Sequence, residues 1–269
     1  MFKKTRKYLK NIFHLRLKYL LQFSIVVCDK NAQLSIGKNV KLIRSKIILK
    51  NDSLLIIGDN SLIYKTTITT SRQELDKIII GDSCKIENTN IKIQGTIIMG
   101  NYNILDKGSY YKPLSIVCTG NITIGDYNRI RCGIWSRYNS NLSIGNYNNI
   151  NEESEIRCDD MIIIGDYNQI SYNCSIWDTN THCIYSAEKR RNLTETKYPV
   201  FGFEFEKPKT KKITIGNDNW IGKNSSILKG STIKNKCIIG FATILSNQVI
   251  ESNRTVVSKN NIIQYENNI

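Results

Sequence analysis

An all-β fold, a parallel β-helix, is what this sequence predicts. Three observations predict it: aliphatic residues spaced six apart, a longer repeat headed by a Gly-Asp/Asn-Tyr-Asn tetrad, and one long interruption of both. Ile215, Ile221, Ile227, Ile233, Ile239 and Leu245 keep the beat of six, as do Ile144, Ile150, Ile156 and Ile162, and again Ile164, Ile170 and Ile176. A helix face repeats near 3.6 residues and a lone strand at two. A beat of six instead returns one inward position after each short strand and turn.

The tetrad Gly125-Asp126-Tyr127-Asn128 recurs as Gly145-Asn146-Tyr147-Asn148 and Gly165-Asp166-Tyr167-Asn168, each copy behind an isoleucine (Ile124, Ile144, Ile164) and 20 positions after the last. Gly100-Asn101-Tyr102-Asn103 is an earlier copy, and Gly37, Gly58, Gly81 and Gly216 head weaker ones. Repetition at a fixed period is the signature of a solenoid. Isoleucine suits the buried, pleated position. Glycine, asparagine and aspartate tolerate the positive φ of tight corners, so the many asparagines read as turn chemistry.

Composition narrows the function classes. The 269 residues carry 41% hydrophobic and 23% charged residues, as a folded protein does. The net charge of +15 suits anionic partners: an acidic glycan, a phosphate-bearing cofactor, a membrane surface or nucleic acid. Nucleic acid is set aside, because no zinc-finger spacing, RNP-like aromatic motif or helix-turn-helix pattern accompanies the charge. The 8 cysteines (28, 84, 118, 132, 158, 174, 183 and 237) form no Cys-x-x-Cys pair and no structural zinc spacing. They read as reduced core or turn residues of a cytoplasmic protein. No metal site is expected.

Residues 1–28 carry Lys3, Lys4, Arg6, Lys7, Lys10, Arg16 and Lys18 and no acid, with Leu9, Phe13, Leu17 and Leu21 four apart. The pattern predicts a short N-terminal amphipathic helix. It would lie either peripherally on the anionic inner face of the membrane or against a neighbouring subunit. A signal peptide fits less well, since Lys18 and Gln22 interrupt the apolar run. The expected organisation is this segment, a β-helix over residues 29–250 with an excursion at 183–212, and a tail at 251–269.

Candidate chemistry gathers at the interruption. Trp177-Asp178-Thr179-Asn180-Thr181-His182-Cys183-Ile184-Tyr185 closes one regular coil, and hexads resume at Ile213. Long excursions from a solenoid are functional loops or tolerated insertions. Of the 2 histidines, His14 lies in the basic segment and His182 at the break. An imidazole titrates near neutrality, so His182 suits general-base work, against the alternative of a surface histidine. A β-helical metal enzyme such as a γ-type carbonic anhydrase would need three histidine ligands. Lys189, Arg190, Arg191, Lys207, Lys209, Lys211 and Lys212 make the excursion basic. They fit a solvated loop, or contacts to CoA phosphates or an acidic sugar. Trp135 and Trp177 follow isoleucines at similar coil positions, as a sugar platform or a prism cap.

The run 177–185, followed by Ile213-Thr214-Ile215-Gly216-Asn217-Asp218-Asn219-Trp220-Ile221-Gly222 and Ile227-Leu228-Lys229-Gly230, resembles the hexapeptide-repeat acyltransferases, in particular the O-acetyltransferases of capsule and lipopolysaccharide synthesis. The motif match spans residues 162–250, with coil-like repetition back to about residue 34. The resemblance implies left-handed coils of about 18 residues, which runs against the usual right-handed crossover. It implies transfer of an acetyl group from acetyl-CoA to a sugar hydroxyl and a cytoplasmic homotrimer with sites between chains. His182 would be the base, with Asp178 orienting it or serving as a turn aspartate. Trp220, Gly222, Gly240, Phe241 and Ser246 would lie at the acyl donor. Trp177, Tyr185, Arg190 and Arg191 would lie at the acceptor saccharide. The chain departs from the family pattern at Cys183, where proline is common, at Phe241, where a small residue is usual, and at Val256-Val257-Ser258-Lys259, where a Gly-Asn-Pro-Ala-Lys motif is missing. A non-catalytic solenoid that binds glycan or scaffolds a complex is the alternative, as is N-acetylation of an amino sugar.

Overall fold

The computed structural model describes residues 22–71, 76–109, 111–200 and 206–259. Of residues 1–28, expected as a short amphipathic helix and its flank, 1–21 lie outside that set and the end forms a strand, Ile25–Cys28; the last ten residues of the chain also lie outside.

The chain is the parallel β-helix expected from the hexads. Among the described residues thirty short strands, from β1 (Ile25–Cys28) to β30 (Thr255–Val256), deal themselves in rotation into three parallel sheets of ten. The first sheet begins with β1, the second with β2 (Gln33–Ile36) and the third with β3 (Lys41–Ile43), and each takes every third strand in order. Each strand pairs with the strand three earlier and three later, so every coil hydrogen-bonds to its neighbours and no side chain is free to slip by one position without reversing inside and outside.

The beat of six becomes three internal columns. In the first sheet Ile134, Ile156, Ile176, Ile227 and Leu245 lie in register. In the third sheet Ile130, Ile150, Ile170, Ile221 and Ile239 do so. All are fully buried or nearly so, and each removes its side chain from water for about 1.5–3 kcal/mol. Coil length varies where residues are added at corners: Ile227 pairs with Leu245, 18 positions on, whereas Ile91 pairs with Ile116.

The tetrad does not work as turn propensity predicts. Its positive-φ residue is the tyrosine, at +56° to +58° in Tyr102, Tyr127, Tyr147 and Tyr167. The glycine is required by space instead: a Cβ on Gly125 would stand 2.3 Å from Asn146 Oδ1. The cost of a left-handed tyrosine is offset along the corner, where successive rings stack at 4.7, 4.8 and 4.9 Å with nearly parallel planes. Isolated corner asparagines, such as Asn39, Asn88 and Asn173, do take positive φ.

The fourth tetrad residue builds a buried amide ladder. Asn128, Asn148 and Asn168 each donate through Nδ2 to the Oδ1 of the preceding asparagine at 3.0 Å and to a glycine carbonyl of the next coil at 2.8–2.9 Å. Each Oδ1 also accepts the main-chain N–H of the next asparagine. Asn148→Ala is expected to lower unfolding free energy by about 2 kcal/mol, because Asn168 N–H and Gly165 C=O lose buried partners. A denaturant titration reads this, and an unchanged midpoint would count against the ladder.

Among the described residues six cysteines are buried: Cys84, Cys132, Cys174 and Cys237 sit at corners, and Cys118 and Cys158 end strands; serine shares one corner column, where Ser154 Oγ accepts the Cys174 N–H and Ser225 occupies the next coil. Burial pushes the Cys158 thiol up to about 12 and that of Cys132 higher. Since the thiolate is the reactive form, iodoacetamide is expected to label the partly exposed Cys183 in the folded protein and to reach Cys132 and Cys158 on unfolding alone. Peptide mapping checks this; early labelling of Cys158 would contradict its burial.

Candidate active site

The break in the repeat follows β22 (Ser175–Trp177). The chain leaves the corner between the first and second sheets and returns at β23 (Ile213–Ile215), whose partner is β20 (Met161–Ile164) of the preceding coil. Its neck is closed by main-chain bonds. Asn180 N–H donates to Lys209 O at 3.0 Å, Lys211 N–H to Asp178 O at 2.9 Å, and Thr179 bridges Thr210 in antiparallel fashion. The excursion is thus an anchored lobe. It contains one helix that the hexad pattern hides, α1 (Ala187–Thr196). Ser186 caps α1 by accepting the Lys189 N–H, Glu188 sits in its first turn, and none of its residues is buried.

Asp178 is fully buried and faces the coil beneath it. Its carboxylate accepts three main-chain N–H groups, from Asp159, Asp160 and Met161, each at 2.8 Å, and Cys158 Sγ lies 3.6 Å from Oδ2. Burial pushes its carboxyl above the usual aspartate range, and the three amides pull the other way. Asp159 is held in turn by Arg137, through Nε at 2.8 Å and Nη2 at 2.6 Å. The corner from which the histidine segment departs is therefore braced from two coils.

Past that corner Thr181 takes φ +66°, an uncommon conformation for a β-branched residue. Its N–H donates to Thr179 Oγ1 at 3.1 Å. This turn delivers His182 to the surface, at the edge of a cleft of about 450 Å³ lined by Asn180, His182, Cys183, Ile184, Tyr185, Lys189, Glu206, Lys207 and Lys209. Lys189 Nζ sits 4.1 Å from the Tyr185 ring centroid and 2.7 Å from Glu206 Oε1, and Lys207 Nζ reaches Asp160 Oδ1 at 3.5 Å. An exposed imidazole in a lysine-rimmed cleft has the parts needed to take a proton from a hydroxyl held beside an anionic ligand.

The other candidate residues distribute as follows. Tyr185 lines the cleft with His182. Arg190 and Arg191 project from α1 into solvent and are not among the described residues lining it. Trp177 and Ser246 share an outward row of the first sheet, through Leu228. Trp220, in β24 (Trp220–Ile221) of the third sheet, is 58% exposed, beside Gln169 and Ile238. Gly222 follows it at the corner between the third and first sheets, and a Cβ there would meet Ile239 O at 2.8 Å. Gly240 stacks in the next coil and Phe241 stands 66% exposed after it. A single chain therefore sets the His182 cleft and the Trp220–Gly222–Phe241 corner on opposite edges of the first sheet.

Sequence reading missed a second, shorter excursion at residues 106–113, between β12 (Ile104–Leu105) and β13 (Leu114–Cys118). Its signal was present: Gly100 and Gly125 head tetrads 25 positions apart, where later copies keep 20.

No family model matches the chain, and no curated protein does. Solved structures are similar in shape. The polySia-specific acetyltransferase NeuO is 16% identical, with 92% of this chain and 91% of that chain covered and a TM-score of 0.41. The polysialic acid O-acetyltransferase OatWY is 18% identical over 87% and 81%, with a TM-score of 0.35. LpxA from Acinetobacter baumannii is 15% identical over 88% and 69%, with a TM-score of 0.35. Identities below 20% and TM-scores below 0.5 tie no activity to the chain.

Proposed function

We propose that the protein transfers an acetyl group from acetyl-CoA to a sugar hydroxyl during synthesis of a surface polysaccharide, capsule or lipopolysaccharide, with His182 as general base. The observation that carries this reading is the exposed His182 in a lysine-rimmed cleft, opened where the coil array makes its longest departure.

Acetyl-CoA would supply the acyl group as an activated thioester. The imidazole takes the hydroxyl proton as the acceptor oxygen attacks the thioester carbonyl; the C–O bond forms, the C–S bond breaks, and the proton passes to the leaving thiolate. Lys189, Lys207 and Lys209 offer charge to phosphates or to an acidic sugar. Trp220, Gly222, Gly240, Phe241 and Ser246 form the donor side, Trp177, Tyr185, Arg190 and Arg191 the acceptor side. The separation of the His182 cleft from the Trp220–Gly222–Phe241 corner by the width of the first sheet supports a homotrimer in which the cleft of one chain faces the Trp220 corner of the next. Sedimentation at three times the 30.9 kDa chain mass is the matching result.

Among the described residues no helix is long and apolar enough to cross a membrane. A cytoplasmic protein held peripherally at the inner membrane face by residues 1–28 fits the basic composition of that segment. The competing reading, a non-catalytic glycan-binding or scaffold solenoid, is favoured by Phe241, whose exposed ring occupies the corner where the resemblance calls for a small residue.

Incubation with acetyl-CoA and candidate glycans, with free thiol followed, tests the proposal: release that depends on both acceptor and His182 supports it, and equal release by His182→Ala removes His182. Lability of the product to mild base separates an O-acetyl ester from an N-acetyl amide.

A further inference from the structure

The outer face of the first sheet carries a row that the hexads did not reveal as a unit. Trp135 in β16 (Gly133–Ser136), Arg157 in β19 (Glu155–Cys158) and Trp177 in β22 are Cα partners in register, all outward and half-buried. Two strand spacings, about 9.6 Å, separate the first indole's strand from the second's. Trp135 lies back over Gly133: a Cβ there would stand 2.6 Å from Trp135 Cζ3 and 2.8 Å from Cη2. The missing side chain lets the indole lie along the sheet.

A wall rises beside this indole. The 106–113 excursion is pinned by Glu152, which is 5% exposed and pairs with Arg131 at 2.9 Å. Ser109 N–H donates to Glu152 Oε1 at 3.4 Å. Gly108, at φ +56°, runs so close that a Cβ would fall 2.0 Å from that same oxygen. The result is a cleft of about 370 Å³ whose lining combines the cations Lys107, Lys112 and Arg131, the carboxylates Glu153 and Glu155, and Gly133 with Trp135. Of the buried side-chain polar atoms without a hydrogen-bond partner among the described residues, Arg131 Nε, Glu152 Oε2, Arg157 Nε and Trp177 Nε1 lie in the row or at the corners beside it.

An aromatic floor with mixed donors and acceptors around it suits a ring that has an apolar face and a rim of hydroxyls. We infer that the outer face of the first sheet is a binding track for a glycan chain, with one sugar ring on Trp135 beside the 106–113 wall and the chain running over Arg157 and Trp177 toward His182. Trp177 ends the strand from which the His182 turn departs, so the track and the cleft are joined through five residues of sequence. The inference rests on the acyl-transfer reading for its direction and on Trp135, Gly133 and the wall for its existence. It makes the acceptor a chain held at a distance from the reacting hydroxyl, and it predicts preference for oligomers over monomers.

The test reads binding without turnover. The full chain is titrated by calorimetry with two size series, dextran-derived glucose oligomers and alginate-derived uronic acid oligomers, to tell a neutral from an acidic chain. In at least one series affinity is expected to rise with length. Trp135→Ala and Gly133→Val, the second keeping the indole but lifting it, are each expected to weaken the longest oligomer at least tenfold, with the melting transition retained. If Gly133→Val unfolds the protein, Lys112→Glu in the wall serves as the second variant, expected to weaken uronic acid oligomers selectively. No binding in either series, or equal affinity in native protein and Trp135→Ala, overturns the track. Length-dependent binding by a protein that releases no thiol from acetyl-CoA upholds the track and overturns the acyl-transfer reading instead.

Discussion

His182→Ala is expected to lower acetyl transfer to a sugar hydroxyl by about 10²–10⁴-fold, the range that general-base catalysis contributes. The loss should fall on kcat, because the imidazole acts on a proton that moves in the transition state, while KM for acetyl-CoA should change little. His182 is exposed at the end of a turn fixed by main-chain bonds on both sides of the neck, so the substitution leaves coil packing intact. Native and variant proteins should therefore melt together. A variant that loses activity and stability in parallel would assign His182 to the lobe's architecture instead.

Asp178→Ala should have the largest effect on stability of the changes considered, about 3–5 kcal/mol, by leaving three N–H groups, one buried and two part-buried, without their acceptor at once. The pH dependence has a definite sign. Burial raises the folded-state pKa above the unfolded value of about 3.9, so the folded state binds more protons in that window. The contribution of Asp178 is then fully present below the unfolded value and declines as pH rises through the raised one. The stability gap between native and Asp178→Ala should narrow over that interval. A gap that widens with rising pH would mean that the three amides outweigh burial. Activity adds a second reading: if Asp178 works through the corner alone, Asp178→Ala at a temperature where it stays folded should keep the native pH profile of kcat, whereas a shifted profile would show that it tunes His182.

The coils were legible because a beat of six leaves little choice. Ile221, Ile227 and Ile239 can all be buried, in register with their neighbours, by a strand-and-turn path that repeats without drift. Corner chemistry was less legible, since it is decided between coils. Tyr127 is stabilised in a left-handed conformation by rings 25 and 20 positions away, which local propensity does not register. Asp178 looked like a partner for the histidine four residues on, yet its three N–H donors come 17 to 19 residues earlier, from the coil beneath. The helix α1 was not legible, because none of its residues is buried and it carries no apolar face to read. The two indoles were legible as a pair, since Trp135 and Trp177 both follow isoleucines, but register was needed to place Arg157 between them, 22 positions after the first and 20 before the second.

The account turns on the claim that an imidazole presented at the broken coil delivers acetyl groups to sugar hydroxyls. Mass spectrometry of an acceptor glycan after incubation with acetyl-CoA, run side by side for the native protein and His182→Ala, measures that claim directly. Acetyl esters accumulating with the native chain and nearly absent with the variant is the predicted result. Esters formed equally by both, or by neither across neutral and acidic glycans, would contradict it.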